Sequence, residues 1–451
     1  MATSASELLD TAEKLIFRLR ADIEPIGGRI GRIQRYLDGK QDLPYIPRGA
    51  KNEYRVMAQK SITNWLPQVS NTYSQGLFVD GYRIGRSDAN VPTWQTWQDN
   101  GMDARQTIVI RSALDYGIGY GVTLPGDSAP VMKALPATRA TAYYEDPDDE
   151  WPIIGLWHKA VTLDGDDVYA VLDDEFLYTV ELVRGVLKVT NLQRHGFGVV
   201  PMVRFRTRLG EMSRGIIEPL IPAQDQINET VFGLRMALQY AAFRQRWATG
   251  LAIPTDEDGN AVEPFEAAVD RLWVTDNPEA RFGDFAQTET RGHLEAYVSQ
   301  VRTLAGQAQV SPNLLTGDLI NLSAEALAML RSQTDLQIGE FKTLLGESFE
   351  QWIRLTALAD GDVATAQDTS AEVRWRDTEP RSFEGVISAL AMMVEKLAVP
   401  AEAVWDKIPN TTDQDIERFK NARESDGLTQ LMDALVRQGE PAEGPEQIEA
   451  A

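Results

Sequence analysis

The sequence predicts an α+β fold, predominantly helical, and three observations carry that prediction. Residues 213–250 (SRGIIEPLIPAQDQINETVFGLRMALQYAAFRQRWATG) hold a long stretch of helical periodicity. Residues 120–207 break into short alternating segments separated by Asp/Gly turns, the mark of strands. Both flanks of the chain then return to a helical period.

Within residues 213–250, Pro219 and Pro222 are tolerated only near a helix start. The spacing therefore predicts a short turn, a break, and a helix from Pro222 to Trp247, on the order of 39 Å long. Its apolar residues Ile227, Val231, Leu234, Leu238 and Ala241 recur at alternating intervals of four and three. That is a heptad seam, which serves equally a helix inside a core and a strut in a larger assembly.

In chain order, residues 4–20 read as an amphipathic helix with Leu8, Leu9, Ala12, Leu15, Ile16 and Leu19 on one face. Gly27-Gly28 breaks it, and a second helix stops at Gly39. Asn52 to Tyr73 reads as a third helix that Pro67 kinks or restarts. Gly76 to Tyr82 is a short strand and turn. Trp94 to Asn100 and Ala104 to Tyr116 are helical, and the glycines of Tyr116-Gly-Ile-Gly-Tyr-Gly121 follow a helix and precede a strand, the wrong order for a nucleotide-binding loop. Candidate strands are Val131–Leu135, Ile153–Ala160, Asp167–Leu172, Phe176–Leu182, Leu187–Asn191 and Met202–Arg206. Leu251–Gln287 looks like a small insertion, with Asp258-Gly259-Asn260 as a hairpin turn. Arg291–Ala308 is a return helix, Gln309–Leu322 a loop, and Ser323 the cap of a long helix with Leu330, Ile338, Phe341, Leu345, Phe349 and Trp352 on one stripe. Ala371–Asp377 alternates as a strand that should join the earlier sheet. Four helical segments follow (382–397, 400–407, 413–423 and 428–437), and residues 439–451 should form a mobile tail.

A chain of 451 residues exceeds one hydrophobic core and suggests two to four domains or subdomains. No apolar run approaches the roughly 18 residues of a membrane span, and the N-terminus has no secretory signal core, so no membrane partner is expected. With no cysteine, thiolate metal sites are excluded; three scattered histidines argue against a histidine-rich site, carboxylate sites stay open, and no cofactor is expected. Acidic clusters at Asp146, Asp148, Asp149 and Glu150, at Asp164, Asp166 and Asp167, and at Asp173, Asp174 and Glu175 could hold Mg²⁺ or Ca²⁺, and the first two could serve a nuclease or phosphatase with two Mg²⁺ ions. They read better as solvated hairpin tips, because Asp favours turns. A net charge of −23 argues against tight DNA binding, although a surface that DNA slides past is better acidic than basic.

Several stretches resemble the portal proteins of bacteriophages, of the siphophage Gp6-like type. They are Asn64-Trp65-Leu66 with Gly76-Leu77-Phe78-Val79-Asp80-Gly81-Tyr82, then Trp97-Gln98-Asp99-Asn100-Gly101-Met102-Asp103, then Leu114-Asp115-Tyr116-Gly117-Ile118-Gly119-Tyr120. Next come His195-Gly196-Phe197-Gly198-Val199-Val200-Pro201, Ser213 to Glu218 with Gln224-Asp225-Gln226-Ile227-Asn228, and Ser311-Pro312 with Asn321-Leu322-Ser323-Ala324-Glu325. The departures are Tyr36-Leu37-Asp38-Gly39, where the family often has two tyrosines, a displaced glycine at Gly210, and a short C-terminus.

The resemblance implies a non-enzymatic subunit of a ring, usually dodecameric, at one capsid vertex of a virion assembled in the host cytoplasm. Double-stranded DNA would enter through it, driven by terminase, and leave at ejection. It implies a wing (1–212 and 324–378), a two-helix stem (213–248 and 288–308), a clip (249–287), a tunnel loop (309–323) and a helical crown with tail (379–451). Asn313, Thr316, Asp318 and Asn321 would face the channel. Arg235, Arg244 and Arg246 would meet phosphates or pair across subunits, and the seam from Ile227 to Ala241 would join neighbours. The implied partners are further copies of the chain, the major capsid protein, a scaffold protein, the terminase large subunit and a head-tail adaptor. Another virion ring adaptor is the alternative within this class.

Overall fold

The computed structural model describes residues 5–49, 52–84, 90–210, 213–242, 246–250, 278–284, 290–316, 324–376, 383–408, 411 and 415–423. The chain divides into two compact units, Met1–Arg376 and Asp377–Ala451.

In the first unit, α1 (Ala5–Ile23) and α2 (Arg29–Leu37) are separated by the Gly27-Gly28 break. α3 (Asn52–Lys60) and α4 (Leu66–Ser74) replace the single helix expected over 52–73, with Pro67 in the first turn of α4 where its missing N–H costs nothing. β1 (Val79–Ile84), α5 (Trp94–Asp99) and α6 (Met102–Tyr116) follow. Eight strands then run from β2 (Ile118–Leu124) through β3 (Val131–Pro136), β4 (Ala140–Tyr143), β5 (Ile154–Val161), β6 (Asp167–Leu172), β7 (Phe176–Val183) and β8 (Val186–Arg194) to β9 (Met202–Arg206). After a 3₁₀ turn at Glu218–Leu220 come α7 (Ile221–Ala242), β10 (Arg246–Thr249), β11 (Arg281–Asp284), α8 (Arg291–Gln307) and α9 (Pro312–Thr316). α10 (Ala324–Asp360), α11 (Val363–Gln367) and β12 (Ala371–Trp375) end the unit.

The strands form layers. β3-β2-β9 is a three-stranded sheet and β4-β5-β6-β7-β8 a five-stranded one. Their facing sides share a core of Tyr120, Val122, Leu135 and Met202 against Trp157, Ala170 and Leu172. The opposite side of the larger sheet is roofed by α1, whose Leu8, Ala12, Leu15, Ile16 and Leu19 meet Ile154, Leu156, Tyr169, Val171 and Val180. β6 is therefore buried on both faces, which explains the continuous apolar run Val168 to Leu172. The far side of the smaller sheet joins the main core through Met132, Val203 and Phe205, packed among residues of α2, α4, α6, α7, α8 and α10. In that core Phe205 lies 4.7 Å from Phe349 and 5.6 Å from Trp352, ring centre to ring centre. The α10 stripe Ile338, Phe341, Leu345, Phe349 and Trp352 is buried as its spacing predicts; the side chain of Leu330 lies outside the described residues.

Two expectations need correction. β12 does not join the earlier sheets. It pairs antiparallel with β1, Val79 opposite Trp375 and Ile84 opposite Ala371, as a separate two-stranded sheet. The long helix ends at Ala242 rather than Trp247, about 33 Å from its start, because Arg246–Thr249 pairs with Arg281–Asp284 and ladder pairing overrides local helix propensity. The turn at 258–260 and most of the insertion lie outside the described residues.

The second unit holds α12 (Phe383–Leu397), a 3₁₀ helix at Ala401–Lys407 and a helical stretch at 415–423. Val386 and Leu390 of α12 pack against Val404. The helix expected over 428–437 lies outside the described residues.

The glycine run after α6 has three structural uses. Gly117, at φ 88°, is the left-handed C-cap of α6. A Cβ on Gly119 would lie 2.8 Å from the Val109 carbonyl, and one on Gly121 2.5 Å from the indole of Trp352. Trp352 has no room to give, since its Nε1 donates to Thr123 Oγ1 at 3.0 Å. Gly121→Ala is expected to destabilise the first unit by about 1–3 kcal/mol, the usual cost of overpacking, read as a lower midpoint in chemical denaturation.

Candidate functional site

The N-terminal part of α7 carries amides on its buried face. Gln224 and Asn228 are four residues apart, in line with Val231, and both are fully buried. They close a network with two other segments of the chain. Gln224 Oε1 accepts from the Trp65 backbone N–H at 3.1 Å, while its Nε2 donates to the Thr63 carbonyl at 2.8 Å. Asn228 Oδ1 accepts from the Thr63 N–H at 2.9 Å, and its Nδ2 donates to Gln41 Oε1 at 2.6 Å. Gln41 Nε2 donates to Asn64 Oδ1 at 2.8 Å, and Asn64 Nδ2 to the Leu37 carbonyl at 2.9 Å. Beside them the Tyr36 hydroxyl lies 2.7 Å from Asp225 Oδ1 and 3.0 Å from Asp42 Oδ2. Burial, and then the Asp225 carboxylate, push the Tyr36 hydroxyl well above its ordinary range. Asn64-Trp65, Tyr36 and Gln224-Asp225-Asn228, noticed in the sequence as separate stretches, thus meet at one place. Gln41 and Thr63 belong to it too; both lie in loops, where no local pattern marks them, whereas Gln224 and Asn228 stand out as amides on the buried face of α7.

The approach to α7 is clamped as well. Arg29 donates to Glu218 Oε2 at 2.9 Å, to the Ser213 carbonyl at 2.8 Å and to the Tyr116 carbonyl at 3.2 Å. Gly215 sits against the Asp115 carbonyl, where a Cβ would come within 2.2 Å. The Asp115 carboxyl is buried, and its Oδ1 and Ser70 Oγ each lack a hydrogen-bond partner. Burial raises its pKa to about 6, with the Ser70 hydroxyl and Arg111 opposing.

Along α7 the seam changes character. Ile227 is buried, Val231 and Leu234 are half-buried, and Leu238 is 51% exposed. α8 shows the same gradient: Val301, Leu304 and Ala305 are buried, but Leu294 is 51% and Val298 37% exposed. The two helices pack together, with Gly233 facing His293. Arg235 is exposed on α7, and Arg246 falls on β10 rather than on the helix. Arg244 and the side chains of Ala241 and Arg246 lie outside the described residues. Asn313 and Thr316, expected in a loop, stand instead on the short helix α9, half-buried, and the Thr316 hydroxyl donates to the Pro312 carbonyl at 3.1 Å. Asp318 and Asn321 lie outside the described residues.

The acidic clusters serve turns. Asp146 Oδ1 accepts from the Asp148 N–H at 2.9 Å, and Asp173 Oδ1 accepts from the Glu175 N–H at 2.9 Å. Asp167 pairs with Arg20 and, at 3.0 Å, with His158. His195 Nε2 lies 3.0 Å from the Asp173 carbonyl, and burial lowers the imidazole pKa, so the ring is a neutral donor in a turn. Among the described residues no group of three or more His, Asp or Glu side chains converges on a metal position.

The class defined by this geometry is a subunit built to fix a helix pair whose far half keeps its apolar residues in solvent. A model of the family "Phage portal protein, SPP1 Gp6-like" matches residues 21–427, and the chain belongs to that family. Among solved structures, a chain of the virion of a native gene transfer agent particle is similar at 13% identity and a TM-score of 0.47, over 84% of this chain and 100% of that one. A chain from the neck of the empty gene transfer agent particle gives 12% identity and 0.46, over 82% and 97%. No match was found among curated proteins.

Two expectations follow. Asn228→Leu leaves the Thr63 N–H and Gln41 Oε1 unpaired and should cost about 2–4 kcal/mol in denaturation, from the penalty of about 1–3 kcal/mol per orphaned buried group. The raised pKa of Asp115 gives stability that is complete below about pH 3.8 and lost as pH rises through about 6. Asp115→Asn imitates the protonated form. It should be more stable than wild type at pH 7, by at most about 3 kcal/mol, with the difference vanishing near pH 4 in a pH series of unfolding curves.

Proposed function

We propose that the chain closes into a dodecameric ring at one vertex of a phage capsid and conducts double-stranded DNA through its centre, inward under terminase and outward at ejection. Family membership over residues 21–427 supports the portal reading. The observation that carries the assembly reading is the set of exposed apolar side chains on the helix pair, Leu238 on α7 and Leu294 and Val298 on α8. A lone subunit gains nothing from an apolar stripe in water, whereas a neighbouring copy would bury it.

In this reading α7 and α8 are the stem, and the segment between them, opened and closed by β10 and β11, is the clip. The sheets with α1–α6 and α10 are the wing, the residues after α8 the tunnel loop, and the second unit the crown. The division of the chain near residue 377 supports the last assignment. A net charge of −23 suits a conduit that must not hold its cargo. Asn313, Thr316, Asp318 and Asn321 are proposed to approach the channel. Arg235, Arg244 and Arg246 are proposed to meet phosphates or acidic groups of a neighbour, and Arg235 is exposed as either role requires. The capsid protein, scaffold, terminase large subunit and head-tail adaptor are the proposed partners in the virion. The role is structural and needs no cofactor; turn hydrogen bonds on the acidic clusters favour it over a nuclease.

Mass measurement and negative-stain imaging of the purified protein should show closed rings with a central hole; a stable monomer at micromolar concentration would overturn the proposal. Leu238→Asp, at an exposed position, should leave the circular dichroism spectrum unchanged and abolish the rings by burying an unpaired charge at the interface.

A further inference from the structure

The five-stranded sheet ends in a strand whose outer edge is paired with no other strand among the described residues. β8 is nine residues long, and only Leu187 is even half-buried. One edge pairs with β7 through a two-residue turn, Arg184-Gly185, with φ of 51° and 82°, the left-handed pair a tight hairpin requires. The other edge pairs with no strand among the described residues. Long open edges of this kind are templates for a further strand.

The register shows what such a strand would meet. Leu187, Val189 and Leu192 stand opposite Leu182, Val180 and Tyr178, so all six share the face roofed by α1. α1 packs mainly over β4 and β5, and the cluster beneath it reaches β8 at Leu187, while Val189 is 39% and Leu192 52% exposed. Lys188, opposite Glu181, lies on the other face. From Arg184 to Arg194 the chain has three cations and no acid, and among the described residues Arg194 alone of the three forms a salt bridge, to Glu175 at 2.7 Å. In a chain of net charge −23 this is a local reversal of sign.

We propose that the free edge of β8 is a docking site for an extended acidic segment of another protein, added as a sixth strand. Its alternate apolar side chains would continue the α1 face over Val189 and Leu192, and its carboxylates would lie beside Lys188 and Arg184. A second copy of β8 is a poor occupant, because homotypic pairing sets cations against cations. The chain's own acidic end is also poor, since Pro441 and Pro445 cannot donate to a ladder. The site is separate from the α7–α8 seam, so it stands or falls independently of ring formation.

The probe is a labelled synthetic peptide alternating valine with glutamate and threonine, titrated against the full-length protein. Saturable binding is expected, weakened about tenfold or more by Lys188→Glu and by Leu192→Glu, both at exposed positions, and absent for the same peptide with lysine in place of glutamate. Hydrogen exchange at residues 186–194 should slow when the acidic peptide is added. The proposal is overturned by absence of binding, by equal binding of the lysine peptide, by binding indifferent to both variants, or by protection elsewhere than β8. Concentration-dependent protection of β8 without peptide would also overturn it, since that would make a second copy the occupant.

Discussion

The amide network under α7 is the constraint on which the rest of the first unit depends. The burial of α7 falls away along its length, from Ile227 to the exposed Leu238, so hydrophobic contact holds the helix less firmly there than at its start. Its orientation must be fixed near its start. Gln224 and Asn228 do this with directional bonds to the backbone at Thr63 and Trp65, and Gln41 and Asn64 carry the connection on to Leu37. Apolar side chains in the same place would tolerate sliding and rotation, whereas a fully satisfied buried network admits one arrangement. Arg29 adds a second fixed point upstream, bridging Ser213, Tyr116 and Glu218. The position of the seam in space is thereby decided by residues that contribute nothing to the seam itself.

The core behind this anchorage is built for close approach. Gly121 brings β2 against the indole of Trp352, and Gly215 brings the approach to α7 against the end of α6. Trp352, Phe349 and Phe205 then lock α10 to the smaller sheet. The unpartnered Asp115 carboxyl at the same junction works against this packing at neutral pH. Its retention costs stability where the chain enters α7, a place where loss of rigidity would shift the whole helix pair.

Much of this was legible in the sequence, and the failures have physical causes. Helices with one apolar stripe, such as α1 and α10, show their period directly, and strands separated by Asp/Gly turns show theirs. The end of α7 was set too late because Arg246-Trp247-Ala248-Thr249 carries no breaker. Only pairing with Arg281–Asp284, some thirty-five residues on, makes it a strand, and such pairing leaves no local mark. β4 escaped notice because four residues, Ala140–Tyr143, are too few to display a period. β12 was assigned to the wrong sheet because strand partners are chosen by tertiary packing. At the site, Asn64, Gln224 and Asn228 stood within recognisable stretches, but their shared role needed the fold to bring three distant segments together. Asn313 and Thr316 were placed in a loop because a single helical turn carries too little pattern to be read.

Three surfaces of the first unit differ in chemistry, and that difference sorts what each can bind. The far half of the α7–α8 pair presents the exposed apolar side chains Leu238, Leu294 and Val298, which suit an apolar stripe of a neighbour. The hairpin tips at residues 146–150, 164–167 and 173–175 are acidic, and Asp146 and Asp173 are spent on turn hydrogen bonds while Asp167 pairs with Arg20 and His158, so as a set they favour repulsion of polyanions over binding them. The edge of β8 joins a cationic strand to an open backbone ladder and an unfinished apolar face. Hydrophobic burial is non-directional and would accept any of several apolar partners. A strand edge flanked by one sign of charge is selective in both geometry and sign, and a second copy of the same cationic strand is a poor match for it. Under the two proposals the subunit joins its own kind along one surface and a different protein along another, and the sign reversal over residues 184–194 would keep the two from cross-reacting.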